Sequence, residues 1–193
     1  YQALVKLALE PEWEAVFDPN SYGFRPGRSP HDAIEAVFNF IRLKPKYVLK
    51  ADIEKCFDKI DHQALLDKLF TIQPIVKLIR GWLKAGIVDQ DQTLFPETGV
   101  PQGGVISPLL MNVALHGLEE SLVKAYPRYQ KPAVIRFADD VAILHHDLNQ
   151  LHQIKTQVEM WLDQIGLQLN PNKTRIVHSL NEDEQGQARF DFL

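Results

Sequence analysis

Three acidic positions carry the chemistry this sequence offers. Asp139 and Asp140 are adjacent in RFADDVAIL, between two runs of strand-like residues, VIRFA and VAIL. Aspartate suits the backbone conformations of a tight hairpin, so a plain turn would explain the pair if its flanks were polar. They are nearly unbroken apolar runs, which places the turn on a buried hairpin. Ionised carboxylates held together raise one another's pKa unless a cation or a shared proton compensates them. Magnesium suits such oxygens. Asp52, at the end of the strand-like YVLKADI, begins a second acidic stretch that includes Glu54 and Asp58. If that strand neighbours the hairpin, three carboxylates converge, a set able to hold two cations ~3.5–4 Å apart for phosphoryl transfer. On these residues alone, polymerase and nuclease both remain open.

A further block, GVPQGGVISPLL, puts adjacent glycines before a helix, with Ser107 expected as N-cap and Pro108 as first helical residue. Glycine there lets backbone approach a ligand, although it is also an ordinary connection. The chain contains no G-x-x-x-x-G-K-[ST] phosphate loop and no HExxH zinc motif. His145 and His146 are neighbours on a strand and are expected to face opposite sides, which argues against joint ligation.

The elements that must position these residues follow from periodicity. Helical spacing runs over residues 2–16, 31–43, 62–70, 74–85, 108–125 and 149–165, and strands are expected near 47–53, 133–138, 141–146 and 189–193. Residues 88–99 suggest a hairpin, and DPNSYGFRPGRSP a long turn. Strands interleaved with helices in this order predict an α+β fold: an antiparallel sheet with helices packed on it.

Composition narrows the class. Of 193 residues, 45% are hydrophobic and 24% charged, enough for one sizeable core. The single cysteine, Cys56, excludes an intrachain disulfide and a cysteine-based zinc site, and favours a reducing, cytoplasmic setting. No apolar run reaches the ~20 residues of a membrane helix, so no membrane partner is expected. A start at Tyr1 and a stop inside FDFL suggest a fragment. The net charge of −4 opposes nucleic-acid binding, which ordinarily needs a basic surface.

The ordered blocks SYGFRPGRSPHDAI, KADIEKCFDKIDH, GVPQGGVISPLLMNVAL, RFADDVAIL and GLQLNPNKT together resemble the bacterial group II intron reverse transcriptases. The resemblance covers nearly the whole chain. It implies a right-hand polymerase palm with part of the fingers: residues 1–46 as a partial fingers segment and 47–193 as palm. It implies an RNA-directed DNA polymerase with two Mg2+ ions (Mn2+ as a substitute), an RNA template, a DNA or RNA primer, deoxynucleoside triphosphates and intron RNA as partners.

By position, the family's metal ligands fall on Asp52, the carbonyl of Ile53, Asp139 and Asp140. Phe57 matches the aromatic that excludes a ribose 2′-hydroxyl, although a core phenylalanine would read the same way. Gln102 and Gly103 match the loop against the incoming nucleotide, Lys173 a lysine near the pyrophosphate, and Arg25 and Arg28 contacts to template or phosphate. Flanking basic lobes would answer the charge objection. The hairpin departs from the family pattern in having Phe137 where tyrosine is usual. Rival expectations are a retron or CRISPR-associated reverse transcriptase, and a maturase that binds intron RNA to aid splicing.

Overall fold

A computed structural model describes residues 1–42, 44–85, 87–89, 92–94, 97–179 and 192. The expected strand at 189–193 lies outside these residues, except for Phe192. The chain forms two compact units: Tyr1–Phe17, Lys55–His116 and Asp163–Leu167 make one, and Asp18–Glu54, Gly117–Leu162 and Gln168–Leu193 the other.

The second unit is built on a four-stranded sheet of β1 (Tyr47–Asp52), β4 (Ala133–Phe137), β5 (Asp140–His145) and β6 (Arg175–His178), in the order β4-β5-β1-β6. All its neighbouring strands are antiparallel. The α+β class expected from element order is the one observed, with the helices packed on the sheet as the periodicity implied. Among the described residues, three α-helices belong mainly to this unit: α2 (Pro30–Ile41), α7 (Leu118–Lys124) and α8 (Leu148–Asp163). Ala33 and Val37 of α2 pack with Val48, Ile135, Ala142 and Leu144 of the strands and with Phe192 in one core. Their four-residue spacing puts both α2 side chains on one helical face. A capping box starts α2: Asp32 N–H donates to Ser29 Oγ, and Ser29 N–H donates to the Asp32 carboxylate. That bonding, led by the Ser29 hydroxyl, holds the Asp32 carboxyl below its usual range. Asp147 likewise accepts from the N–H groups of Asn149 and Gln150 at the start of α8.

The first unit contains α1 (Gln2–Glu14), α3 (Cys56–Lys59), α4 (His62–Lys68), α5 (Gln73–Leu83), α6 (Ser107–Leu115) and a hairpin of β2 (Ile87–Asp89) with β3 (Gln92–Leu94). Helix α6 is its centre. Residues Leu109 to Leu115 are all buried, and α1, α3 and α4 each contact the helix. A helix apolar on every side belongs inside a core, so its lack of a polar stripe is consistent with this position.

Two sequence expectations need correction here. The long helix expected over 108–125 is two helices, because Gly117 adopts φ +92° between Leu115 and Leu118, a left-handed conformation that breaks the α geometry. The N-cap of α6 is Ile106, not Ser107. Ser107 already lies in the helix, and its hydroxyl donates to the Pro101 carbonyl at 2.6 Å, bracing the loop rather than capping.

Candidate active site

Strand pairing brings the acidic residues together. In the β1–β5 register Asp52 stands directly opposite Asp140, so the end of one strand presents its carboxylate beside that of its neighbour. Phe137 pairs with Asp140 in the β4–β5 ladder, leaving Ala138 and Asp139 as a two-residue turn. The left-handed residue of this turn is Ala138 at φ +55°, not an aspartate as the sequence suggested. The Ile53 N–H approaches the Asp139 carbonyl at 3.4 Å, and the Asp52 carbonyl accepts from Asn170 N–H at 2.8 Å. The hairpin tip is therefore tied to the end of β1.

The electrostatics follow from this crowding. Burial pushes the Asp140 carboxyl above its ordinary value, and the charges of Asp139 and Asp52 push it further, while Lys50 and Lys173 oppose them. Lys173 Nζ lies 3.2 Å from Asp52 Oδ2. Among the described residues, no group of three His, Cys, Asp or Glu side chains is drawn together as a ready-made metal cage. The donor chemistry nevertheless fits a hard divalent cation: oxygen ligands only, with like charges opposed across paired strands. Asp52, Asp139 and Asp140 would hold such an ion. The Ile53 carbonyl is the further oxygen expected from sequence; the residue is buried and bridged to Leu169.

Within the first unit, Phe57 and Gln102 line one cleft of about 330 Å3, with Asp58 and residues 98–101. Gln102 Nε2 donates to Asp58 Oδ1 at 2.9 Å, and the Val100 N–H donates to the Phe57 carbonyl. Half-buried Phe57 is thus a cleft wall rather than a fully enclosed core residue. Gly103 is exposed beside them at φ +82°.

The two arginines expected at template or phosphate are occupied by backbone. Arg25 is buried, and its Nη1 donates to the carbonyls of Asp18 and Ser21 at 3.0 and 2.9 Å. Arg28 donates to the Pro19 and Ser21 carbonyls and lies over the Tyr22 ring. Both fold the long turn on itself. The imidazoles of His145 and His146 lie 4.3 Å apart, closer than strand alternation implied, because β5 ends at His145.

Sequence reasoning missed Arg136. It lies inside β4, is 3% exposed, and its Nη1 donates to the Ala138 carbonyl at 3.0 Å while its Nη2 donates to Ser21 Oγ at 2.7 Å. The available signal was an arginine within the apolar run VIRFA, since a charge in a buried strand needs partners.

A four-stranded antiparallel sheet with helices packed on it and acidic residues at a hairpin tip is the arrangement expected of a polymerase palm. The family model for reverse transcriptase (RNA-dependent DNA polymerase) matches residues 1–193, and the chain belongs to that family. It is 32% identical to the group II intron-encoded protein LtrA of Lactococcus lactis over 80% of this chain and 26% of that protein. It is 33% identical to an uncharacterized 91 kDa protein in a cob intron of Schizosaccharomyces pombe, over 75% of this chain and 18% of that one. Protein YkfC of Escherichia coli is 31% identical over 92% of the chain and 56% of its own length. The chain thus spans about a quarter or less of the first two relatives. Apo telomerase from Candida tropicalis superposes with a TM-score of 0.68 at 13% identity, covering 99% of this chain and 38% of that one, a likeness of fold.

Proposed function

We propose that the chain is the catalytic palm of an RNA-directed DNA polymerase of a group II intron-type retroelement, acting by two-metal nucleotidyl transfer. The observation that carries this reading is the pairing of Asp52 with Asp140 across β1 and β5, with Asp139 at the adjoining turn. Two Mg2+ ions, when bound, would activate a primer 3′-hydroxyl and neutralise the departing pyrophosphate. Asp52, Asp139 and Asp140 would hold them, with the Ile53 carbonyl as a further ligand. The sheet fixes the carboxylates before substrate arrives, so little reorganisation remains at the moment of reaction.

Phe57 would exclude a ribose 2′-hydroxyl by occupying the space that the extra oxygen needs, which favours deoxynucleotides. Gln102, fixed by Asp58, and Gly103 would form the neighbouring wall of the nucleotide site. Lys173 would turn from Asp52 towards the pyrophosphate. The RNA template, primer and intron RNA are the partners of this reading, with residues 1–46 as a fingers segment and residues 47–193 as palm.

Primer extension on an RNA template by an Asp139→Ala variant tests the proposal. Loss of extension with RNA binding retained is expected, and extension at the wild-type rate would sink it. Similarity to a group II intron-encoded protein also raises a role in intron RNA folding. Splicing assistance that survives Asp139→Ala would separate that role from polymerisation.

A further inference from the structure

The turn that carries Asp139 is held from outside the sheet. Ala138 occupies the left-handed region at φ +55°, a conformation that L-residues other than glycine rarely adopt. Such a residue persists only where its surroundings over-determine it. Here the surroundings are residues 20–23, which run parallel to β4: Arg136 N–H donates to the Asn20 carbonyl at 2.9 Å, and Tyr22 N–H donates to the Arg136 carbonyl at 2.8 Å.

Gly23 follows immediately and seats its backbone against the turn. A Cβ at that position would stand 2.2 Å from the Ala138 nitrogen and 2.9 Å from its Cα, so no larger residue fits without moving the turn. The side chain of Arg136 closes the arrangement from within, one guanidinium nitrogen on the Ala138 carbonyl and another on the Ser21 hydroxyl.

The segment is itself anchored. Asn20 donates twice to the Glu119 carboxylate, through its backbone N–H at 3.1 Å and its amide at 2.6 Å, and Asp18 accepts from Gly117 N–H at 2.9 Å. Arg136, Ser21, Asn20, Asp18 and Glu119 line one small pocket, so the buried guanidinium faces acceptors and carboxylates.

We propose that Arg136, Ser21 and Gly23 form a clamp that fixes the Ala138–Asp139 turn and so sets the position of the Asp139 carboxylate. Arg136 is a positioning residue in this account: it acts through the Ala138 carbonyl, one peptide from the acid. The proposal rests on the polymerase reading for its kinetic consequence, and on the hydrogen bonds alone for its structural one.

The test compares Arg136→Gln, Arg136→Lys, Ser21→Ala and Gly23→Ala in the purified protein. Primer extension should show kcat reduced on the order of 100-fold for Arg136→Gln, the scale of a misplacement near 1 Å, with KM for the nucleotide unchanged. Ser21→Ala, which deletes one acceptor, should lose less. Arg136→Lys should recover part of the loss, because an ammonium reaches one acceptor but lacks the two-pronged fork. Single-turnover extension with the protein in excess over primer separates misplacement from unfolding: the fraction of primer extended should persist while the rate falls. Wild-type kcat in Arg136→Gln, or a loss wholly in that fraction, would overturn the clamp.

A second measurement needs no turnover. Hydrogen–deuterium exchange in peptides covering residues 136–141 should accelerate in Arg136→Gln and Gly23→Ala while the β1–β6 pair keeps its protection. Unchanged or uniformly faster exchange would overturn the proposal. If the wild-type protein extends no primer, the polymerase reading fails and the exchange result still decides the clamp.

Discussion

Asp52 and Asp140 are direct cross-strand partners in an antiparallel pair, so the sheet places two carboxylates side by side. Like charges in that relation destabilise a sheet by about 0.2–1 kcal/mol, and burial adds to the cost of ionising Asp140. The fold has accepted a local instability at the place where a cation would be most strongly attracted.

The Asp140 carboxyl ionises less readily in the folded chain than its ordinary value of 3.8, so the stability associated with its protonated form is present at low pH and lost as pH rises through the raised value. Asp140→Asn should therefore melt higher than wild type at pH 7 without metal, by an increment within that 0.2–1 kcal/mol range. The gain should shrink as pH falls through the raised value and be largely gone by about pH 4, where the wild-type carboxyl is also protonated. Added Mg2+ should raise the wild-type melting temperature more than that of the variant. Thermal melts at two pH values with and without Mg2+ check this, and a variant less stable than wild type at pH 7 would contradict it.

Lys173 bonds Asp52, but its side chain is 65% exposed. An exposed ion pair contributes little, about 0.2–1 kcal/mol. Lys173→Met should leave the melting temperature nearly unchanged. If the ammonium turns to the pyrophosphate during reaction, kcat should drop clearly in the same variant. Melting and single-turnover extension, measured together, distinguish a catalytic contribution from a surface pair.

Phe57 shares a cleft with Gln102, and its ring is the wall that a 2′-hydroxyl would meet on the proposed reading. Phe57→Ala should admit ribonucleotides, lowering the deoxy-to-ribo ratio of kcat/KM on the order of tenfold or more. Competition between the two nucleotide types on one template measures it. An unchanged ratio would return Phe57 to a packing role.

Much of this architecture was legible in the sequence because it rests on short-range patterns. Alternation marked β1, and the nearly unbroken apolar runs flanking Asp139 and Asp140 marked β4 and β5 as a buried hairpin. What periodicity could not show was long-range bonding. Arg25 and Arg28 look in sequence like free cations in a glycine-containing turn, yet their guanidinium groups donate to the carbonyls of residues 18–21. Arg136 was passed over for the same reason, since its partner Ser21 lies 115 residues away. The break at Gly117 was hidden by apolar spacing that continues on both sides of it. Helical periodicity reports which face is buried, not whether the backbone stays α-helical between turns.

Arg25 accordingly carries a prediction about stability rather than binding. Its two hydrogen bonds to the Asp18 and Ser21 carbonyls are buried, and bonds from a charged donor contribute about 1.5–3 kcal/mol each. Arg25→Met should reduce the unfolding free energy by a few kcal/mol in denaturant titrations, while RNA affinity per folded molecule stays unchanged. A selective loss of RNA affinity at full stability would instead establish a direct contact.

Gly117 allows a cleaner measurement of backbone strain. Its φ of +92° lies in the left-handed region, and no neighbouring atom stands within 4 Å of where a Cβ would be. Gly117→Ala meets no clash, so its effect is conformational alone. Two effects compete: alanine strains the folded turn by about 1–2 kcal/mol, while its reduced freedom in the unfolded chain gives back roughly 0.4–1 kcal/mol. Strain is the larger, and the variant should be destabilised by about 1 kcal/mol. That corresponds to a fall in melting temperature of roughly 2–4 °C for a chain of this size. A stabilised Gly117→Ala would mean that the helix runs unbroken from Ser107 to Lys124 in solution, which circular dichroism would register as added helix.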